Sequence, residues 1–251
     1  MVFKDHFATV AGHYALNRPV YPPSLFDWLA GQCAMRDLAW DCGAGNGQAS
    51  VELGRLFKRV MATDPSEAQI AQAVAHPRVE YSVASAENSG LGRHSVDLIV
   101  VAQALHWFEL DPFYQEAKRI LRQTGVIAAW SYGTLEVEGS TVNTLVQRFY
   151  HDEVGPFWLP ERRHVENGYR ELPFPFHPVA TPPFAMRVHW SLTQLLGYFR
   201  SWSATSRFMK VKGYDPVDLL ESPLRSCWGQ TELPRMVTWP LSILVGRPDQ
   251  T

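Results

Sequence analysis

The segment WDCGAGNG, residues Trp40 to Gly47, constrains the fold more than any other stretch of this 251-residue chain. An apolar run ends in Asp41, glycines follow at alternate positions, Gly43, Gly45 and Gly47, and a second apolar run, RVMATD, ends in Asp64. About one helix and one turn separate the two acids, which is the layout of a strand, helix, strand unit wrapped around a nucleotide-like ligand. A chain that leaves a buried strand and turns at once into a helix needs positive φ angles and bare backbone for the ligand to lie against. Glycine supplies both.

Two departures from the dinucleotide-binding fingerprint narrow the ligand. Gln48 stands where that fingerprint has its third glycine, and Asp41 places an acid just ahead of the first. A carboxylate at a strand tip favours a cationic ligand end, an α-amino group or a sulfonium, and repels a pyrophosphate. Asp64 is then positioned to chelate two ribose hydroxyls. Pro65 follows it where the turn into the next helix begins.

The rest of the first half alternates in the same way. Residues 23–31 read as a short helix, Asp37 to Asp41 as a strand, Gln48 to Leu56 as a helix and Arg59 to Asp64 as a strand. A helix through Ile70 and Val74, stopped by His76, Pro77 and Arg78, precedes the strand VEYSVAS. SVDLIVVAQ is nearly continuous in apolar residues, as expected of a central parallel strand. Phe113, Ala117, Ile120 and Leu121 give the next helix an apolar stripe, Gly125 is expected to end it, and VIAAW follows as a fifth strand. Such alternation implies a doubly wound α/β sheet.

WDCGAGNG, ATDPS, VASAE, AQALHWF, EAKRIL and GVIAAWSYG, in this order over residues 3–135, resemble the class I S-adenosylmethionine-dependent methyltransferases. The resemblance is closest to the type 11 branch related to trans-aconitate methyltransferase. It implies a three-layer sandwich around a mostly parallel seven-stranded Rossmann-like sheet, with S-adenosylmethionine as donor and S-adenosylhomocysteine as product. It also implies that the Tyr14, Arg18-Pro, Tyr-Pro segment forms a lid over the cofactor, with Tyr14 near the methionine end and Arg18 near its carboxylate. Phe7, Ala11, Tyr14 and Arg18 share one helical face, and a guanidinium pairs bidentately with a carboxylate. Arg18 could equally cap that helix ahead of Pro19.

Where many relatives carry an aspartate for the adenine amino group, this chain has Ser85, followed by Ala86 and Glu87. Adenine recognition falls to backbone groups around Ala86, or to Glu87 if its side chain turns inward. AQALHWF follows the fourth strand at the carboxyl edge of the sheet, where the ligand crevice opens. There Gln103 is expected to line the cofactor pocket, with His106 and Trp107 facing the transferable methyl group. An imidazole of near-neutral pKa could take a proton from an attacking hydroxyl or amine, whereas a carboxylate acceptor needs no base.

After Gly133 the rhythm changes. Residues 139–183 and 191–234 read as helical and aromatic cap insertions, 185–190 and 235–245 as two closing strands, 1–36 as the lid and 37–135 as the cofactor-binding core of a single domain. The proline-rich run RELPFPFHPVATPPF carries Phe174, Phe176 and Phe184, too apolar together for an exposed linker. Trp130, Tyr132, Trp158, Tyr169, Trp202 and Arg207 are candidates for closing the acceptor pocket, with Arg163, Arg170 and Arg200 as further cations for an acidic substrate.

With 23 basic and 25 acidic residues and no basic run, the chain lacks an electrostatic footprint for nucleic acid. No apolar stretch reaches the roughly 18 residues of a membrane span, and the start MVFKDHF has no signal-peptide core. Cys33, Cys42 and Cys227 share no metal spacing and read as reduced thiols. The expectation is a cytoplasmic, metal-free methyltransferase, monomer or homodimer, acting on a small molecule at a carboxylate or hydroxyl oxygen. An N-methyltransferase, a sensor that binds the cofactor without catalysis, and an NAD-dependent oxidoreductase are the alternatives.

Overall fold

The alternating apolar runs between Leu38 and Tyr132 form five parallel strands, β1 (Leu38–Cys42), β2 (Arg59–Asp64), β3 (Val79–Val83), β4 (Val96–Ala102) and β5 (Leu121–Tyr132). The computed structural model describes residues 19–249, so Tyr14 and Arg18 lie outside the described residues. The strands are ordered β3-β2-β1-β4-β5. The order reverses between β1 and β4, the switch point at which a doubly wound sheet opens a crevice along the carboxyl ends of its strands.

Both faces of the sheet are covered. Leu98 and Val100 of β4 join one apolar cluster with Leu25, Phe26 and Leu29 of helix Pro23–Gln32 and Leu53 of helix Gln48–Leu56. Ile99 and Val101 join a second cluster with Phe113, Ala117 and Ile120 of helix Leu110–Ile120. Alternate residues of one strand thus serve opposite faces, which is why its sequence is apolar throughout. At the amino edge, Asp97 Oδ2 accepts the backbone N–H groups of Asp37 (2.8 Å) and Leu38 (3.0 Å), while Arg122 donates to Oδ1 at 2.8 Å. This buried acid ties the starts of β1, β4 and β5 together and sets how their carboxyl tips align.

Several expected boundaries move. The first strand runs one residue later, through Cys42. The helix after Asp64 is only Glu67–Ile70, N-capped by Ser66, and stops short of Val74. Helix Leu110–Ile120 ends at Leu121, which is already extended, and not at Gly125. The β4–β5 ladder shifts register between Val96 and Leu98, where Gly125 sits in β5 so tightly that a Cβ would lie 2.8 Å from Leu121. Gly125 therefore serves a bulge in the strand and not a helix cap.

Four more strands follow: β6 (Glu136–Val137), β7 (His177–Pro178), β8 (Ala185–Trp190) and β9 (Arg235–Arg247). The antiparallel closing pair is present, with β9 two residues longer than expected. Leu241–Gly246 of β9 pair with β5, Arg235–Pro240 pair with β8, and the two-residue strands add at its flanks. Helices Ser140–Arg148, Arg162–Glu166, Leu192–Arg200, Ser203–Lys212 and Pro216–Trp228 complete this half. The proline-rich run is irregular but packed: Phe174 and Phe176 lie against Tyr114, and Phe184 against Trp28.

Candidate active site

At the tip of β1, Asp41 is fully buried. Ser50, on the helix after the glycine turn, donates to Asp41 Oδ2 at 2.5 Å, whereas Oδ1 is buried with no partner among the described residues. Burial pushes the Asp41 carboxyl up to about 7, although the Ser50 hydrogen bond works in the other direction. A buried carboxylate oxygen without a donor is costly, and a bound cation would complete it.

The three glycines of the turn all have positive φ, but their surroundings differ. A Cβ on Gly43 would lie 2.7 Å from that of Ala104, in the loop after β4, and one on Gly47 would run into the Tyr81 hydroxyl. Gly45 has only Gln69 Oε1 at 3.7 Å. Packing demands the first and third glycines, while the middle one leaves bare backbone at the crevice. Asp64, at the tip of β2, accepts the Gly45 N–H through Oδ2 and the Ser66 N–H through Oδ1, both at 2.9 Å. Pro65 between them is half-buried.

After β3, Ser85 is exposed and Ala86 buried. Glu87 is half-buried, and behind burial and Asp41 its charge helps raise the thiol of Cys42 at the tip of β1. After β4, Gln103 adopts φ +58°. Its Oε1 accepts the Tyr132 N–H at 2.9 Å and its Nε2 donates to the Tyr132 carbonyl at 3.2 Å. The side-chain amide joins the loop after β4 to the end of β5, so Gln103 shapes the crevice through the turn it holds.

His106 and Trp107 belong to the 3-10 turn Leu105–Trp107, with their rings 4.7 Å apart. His106 Nδ1 lies 2.9 Å from Tyr169 Oη. Burial holds the Tyr169 phenol well above the ordinary tyrosine range, so it keeps its proton and fixes the imidazole through Nδ1. The expected near-neutral basicity of His106 is overturned. Burial, reinforced by the charge of Arg162, lowers its pKa to about 3.

Trp130 is fully buried and Tyr132 nearly so, with Tyr21 packed edge-on to Trp130 at 5.4 Å; Trp202 belongs to an aromatic cluster with Phe149, Tyr198 and Phe199. Arg200 is bound to Asp215 and Asp218, Arg207 donates to the Phe157 carbonyl, and Arg170 is exposed and donates to the Asn167 carbonyl. The cation whose charge acts on His106 is Arg162, which sequence reasoning missed. Its partner Tyr150 lies in a π-helical turn on the far side of Pro156 and Pro160, where no helical or strand period links positions. The adjacent pair Arg162-Arg163 was the only visible signal.

Among the described residues no group of acidic, histidine or cysteine side chains is arranged to hold a metal, and no helix is long and apolar enough to cross a membrane. The three cysteines form no disulfide.

A family model described as a methyltransferase domain matches residues 40–129. A Dictyostelium discoideum protein whose name places it among the methyltransferases is 35% identical over 233 residues, 92% of this chain and 89% of that protein. A solved structure from Anaeromyxobacter dehalogenans, described as a type II methyltransferase, is 46% identical, with TM-score 0.88 over 92% of this chain and 99% of that one. A Mycobacterium tuberculosis protein likewise named as a methyltransferase is 36% identical over 120 residues, 47% of this chain and 49% of that protein.

Proposed function

The chain belongs to the class I S-adenosylmethionine-dependent methyltransferases, and from that premise we propose that it methylates a small molecule at an oxygen that is already anionic, a carboxylate, in the cytoplasm. The observation that carries this reading is His106, half-buried and with Nδ1 engaged by Tyr169 Oη at 2.9 Å, whose lowered basicity makes it a poor proton acceptor for a neutral hydroxyl or an ammonium group. A carboxylate requires no deprotonation, and the Arg162 charge that lowers the His106 pKa favours an anion.

The residues present fit the cofactor. In this reading the unpartnered Asp41 oxygen receives its α-amino group, Gly43 makes the turn that lays the bare backbone of Gly45 against it, and Asp64 and Pro65 meet the ribose. The backbone near Ser85 and Ala86, with Glu87, meets the adenine, and Gln103 keeps the neighbouring turn in place. Tyr14 and Arg18, the lid residues that the family resemblance implies, lie outside the described residues. When bound, S-adenosylmethionine supplies a methyl group on a sulfonium, which passes to an oxygen lone pair while the carbon–sulfur electron pair stays on sulfur, giving an ester and S-adenosylhomocysteine with no proton released.

Segment 37–135 is the cofactor-binding core in this reading, and 139–183 and 191–234 cap the acceptor. His106, fixed by Tyr169, and Trp107 contribute shape and exclusion of water rather than proton transfer. Calorimetry with S-adenosylmethionine and S-adenosylhomocysteine, followed by labelled-methyl transfer to matched acids, alcohols and amines, tests the proposal. Binding with transfer to acids is expected. Transfer confined to alcohols or amines would remove the carboxylate reading, and binding without any transfer would favour a sensor.

A further inference from the structure

The segment from Tyr150 to Glu166 lines an open pocket of about 290 Å³. Its wall includes Tyr150, Trp158, Arg162, Arg163 and Glu166. The volume lies at the small end of ligand pockets. Arg162 is held there by one hydrogen bond and two aromatic rings. Its Nε donates to Tyr150 Oη at 2.9 Å, and that hydroxyl donates to Glu166 Oε1 at 2.8 Å. The guanidinium lies 4.7 Å from the centre of the Trp158 ring and 5.7 Å from that of Tyr150.

Every contact on this guanidinium uses Nε or its flat face. The two terminal nitrogens, the end-on fork that grips a carboxylate, have no protein acceptor within hydrogen-bonding distance among the described residues. The Trp158 indole N–H, in the same wall, is buried and also without an acceptor. Burial raises the Tyr150 hydroxyl to about 12, so it stays protonated and can accept from Arg162 while donating to Glu166. Glu166 is the acid in the wall; it is exposed, and one of its oxygens is engaged by Tyr150.

We propose that this cavity is the acceptor's anchoring site, in which Arg162 grips an acidic group of the acceptor through its terminal nitrogens and Tyr150 and Glu166 act as positioning residues that aim it. The inference rests on the methyltransferase reading above and adds the residues that select the acceptor. The pocket is joined to the crevice by geometry: Tyr169, bound to His106 Nδ1, donates its backbone N–H to the His164 carbonyl at 2.8 Å, and a Cβ on Gly133, just past the tip of β5, would lie 3.9 Å from Glu166 Cα.

The test is calorimetry on the full chain saturated with S-adenosylhomocysteine, titrated with propionate, hexanoate, benzoate and phenylacetate and with their primary amides. At least one acid should bind, at least tenfold more tightly than its amide. Arg162→Lys, which keeps the charge but loses the fork, should weaken that acid at least tenfold, and Tyr150→Phe should weaken it by less; neither should change affinity for S-adenosylhomocysteine. The inference is overturned if no acid binds, if acids bind no better than amides, or if Arg162→Lys binds acids as the wild type does. The acid-versus-amide comparison needs no variant, so it stands even if a substitution unfolds the chain. Failure of S-adenosylhomocysteine itself to bind would instead remove the methyltransferase reading.

Discussion

Asp64 Oδ2 accepts the backbone N–H of Gly45 at 2.9 Å, so the acid at the tip of one strand holds the glycine turn that follows its neighbour. Its other oxygen holds Ser66 N–H. The residue proposed for the ribose is therefore also part of the frame of the crevice. Asp64→Ala should weaken S-adenosylmethionine binding by about 10- to 100-fold, from the loss of hydrogen bonds to a charged acceptor worth about 1.5–3 kcal/mol, and should lower the melting temperature as well. Asp64→Asn, which keeps one acceptor oxygen, should restore most of the stability and less of the affinity. Wild-type affinity in both variants, by calorimetry, would remove the ribose role.

Asp41 makes cofactor binding depend on pH. Its carboxyl is raised from 3.8 to about 7, mainly by burial. Between those values the unfolded chain has released a proton that the folded chain still holds, so this group's contribution to stability falls as pH rises from about 4 to about 7 and is flat above. An ammonium beside Oδ1 favours the ionised form. Binding should then release a proton, and affinity should climb from pH 5 to 7 by up to about tenfold per unit. Titrations over this range should show the slope in the wild type and its loss in Asp41→Asn. A slope that persists in the variant would assign it elsewhere.

His106 should leave no mark near its ordinary pKa on the rate profile. With a pKa lowered from 6.5 to about 3, chiefly by burial, it is neutral throughout the working range. For stability the sign is opposite to that of Asp41: the contribution is present above pH 6.5 and is lost as pH falls toward 3, where the unfolded chain takes up the proton first. His106→Gln should retain turnover within about tenfold of wild type, because a true general base contributes roughly 100- to 10,000-fold. A larger loss, together with the disappearance of one limb of the pH profile, would restore His106 as the base.

Gly47→Ala should destabilise the fold more than Gly45→Ala. Both residues have positive φ, a conformation that costs a non-glycine residue about 1 kcal/mol or more. At Gly47 the new Cβ would also strike Tyr81, whose hydroxyl donates to the Val74 carbonyl. Gly45→Ala has room, and its effect should appear chiefly in cofactor affinity. Chemical denaturation and calorimetry of the two variants check the split, and equal stability losses would count against it.

The cofactor half of the molecule was legible in the sequence because each of its devices is local. WDCGAGNG, the acid ending RVMATD and the continuous apolar run of β4 announce strand tips and a glycine turn within a few residues of themselves. Boundaries failed where tertiary packing overrides propensity: Gly125 resembles a helix terminator in sequence but occupies a bulge opposite the start of β4. The acceptor side was less legible. Tyr169 meets His106 from 63 residues away, and the Tyr150, Arg162, Glu166 chain joins a π-helical turn to a five-residue helix. Neither arrangement has a periodicity to read. The basicity of His106 was misread for the same reason, since the burial and the cation that suppress it come from a distant segment.

The 13-residue strand β9 gives the enzyme a mechanical property. Its carboxyl half is laced to β5 and its amino half to β8, so the two sides of the molecule share one spar and are not hung on a flexible strap. Swinging them apart would require bending that spar, and the natural place is Pro240, which offers no amide to either ladder and sits where one set of pairings gives way to the other. Residues carried on the core and on the helical half are thereby held at a nearly fixed separation. Acceptor selection should accordingly resemble a caliper of set span, tuned by the lengths of the side chains that face across it rather than by how far two lobes close.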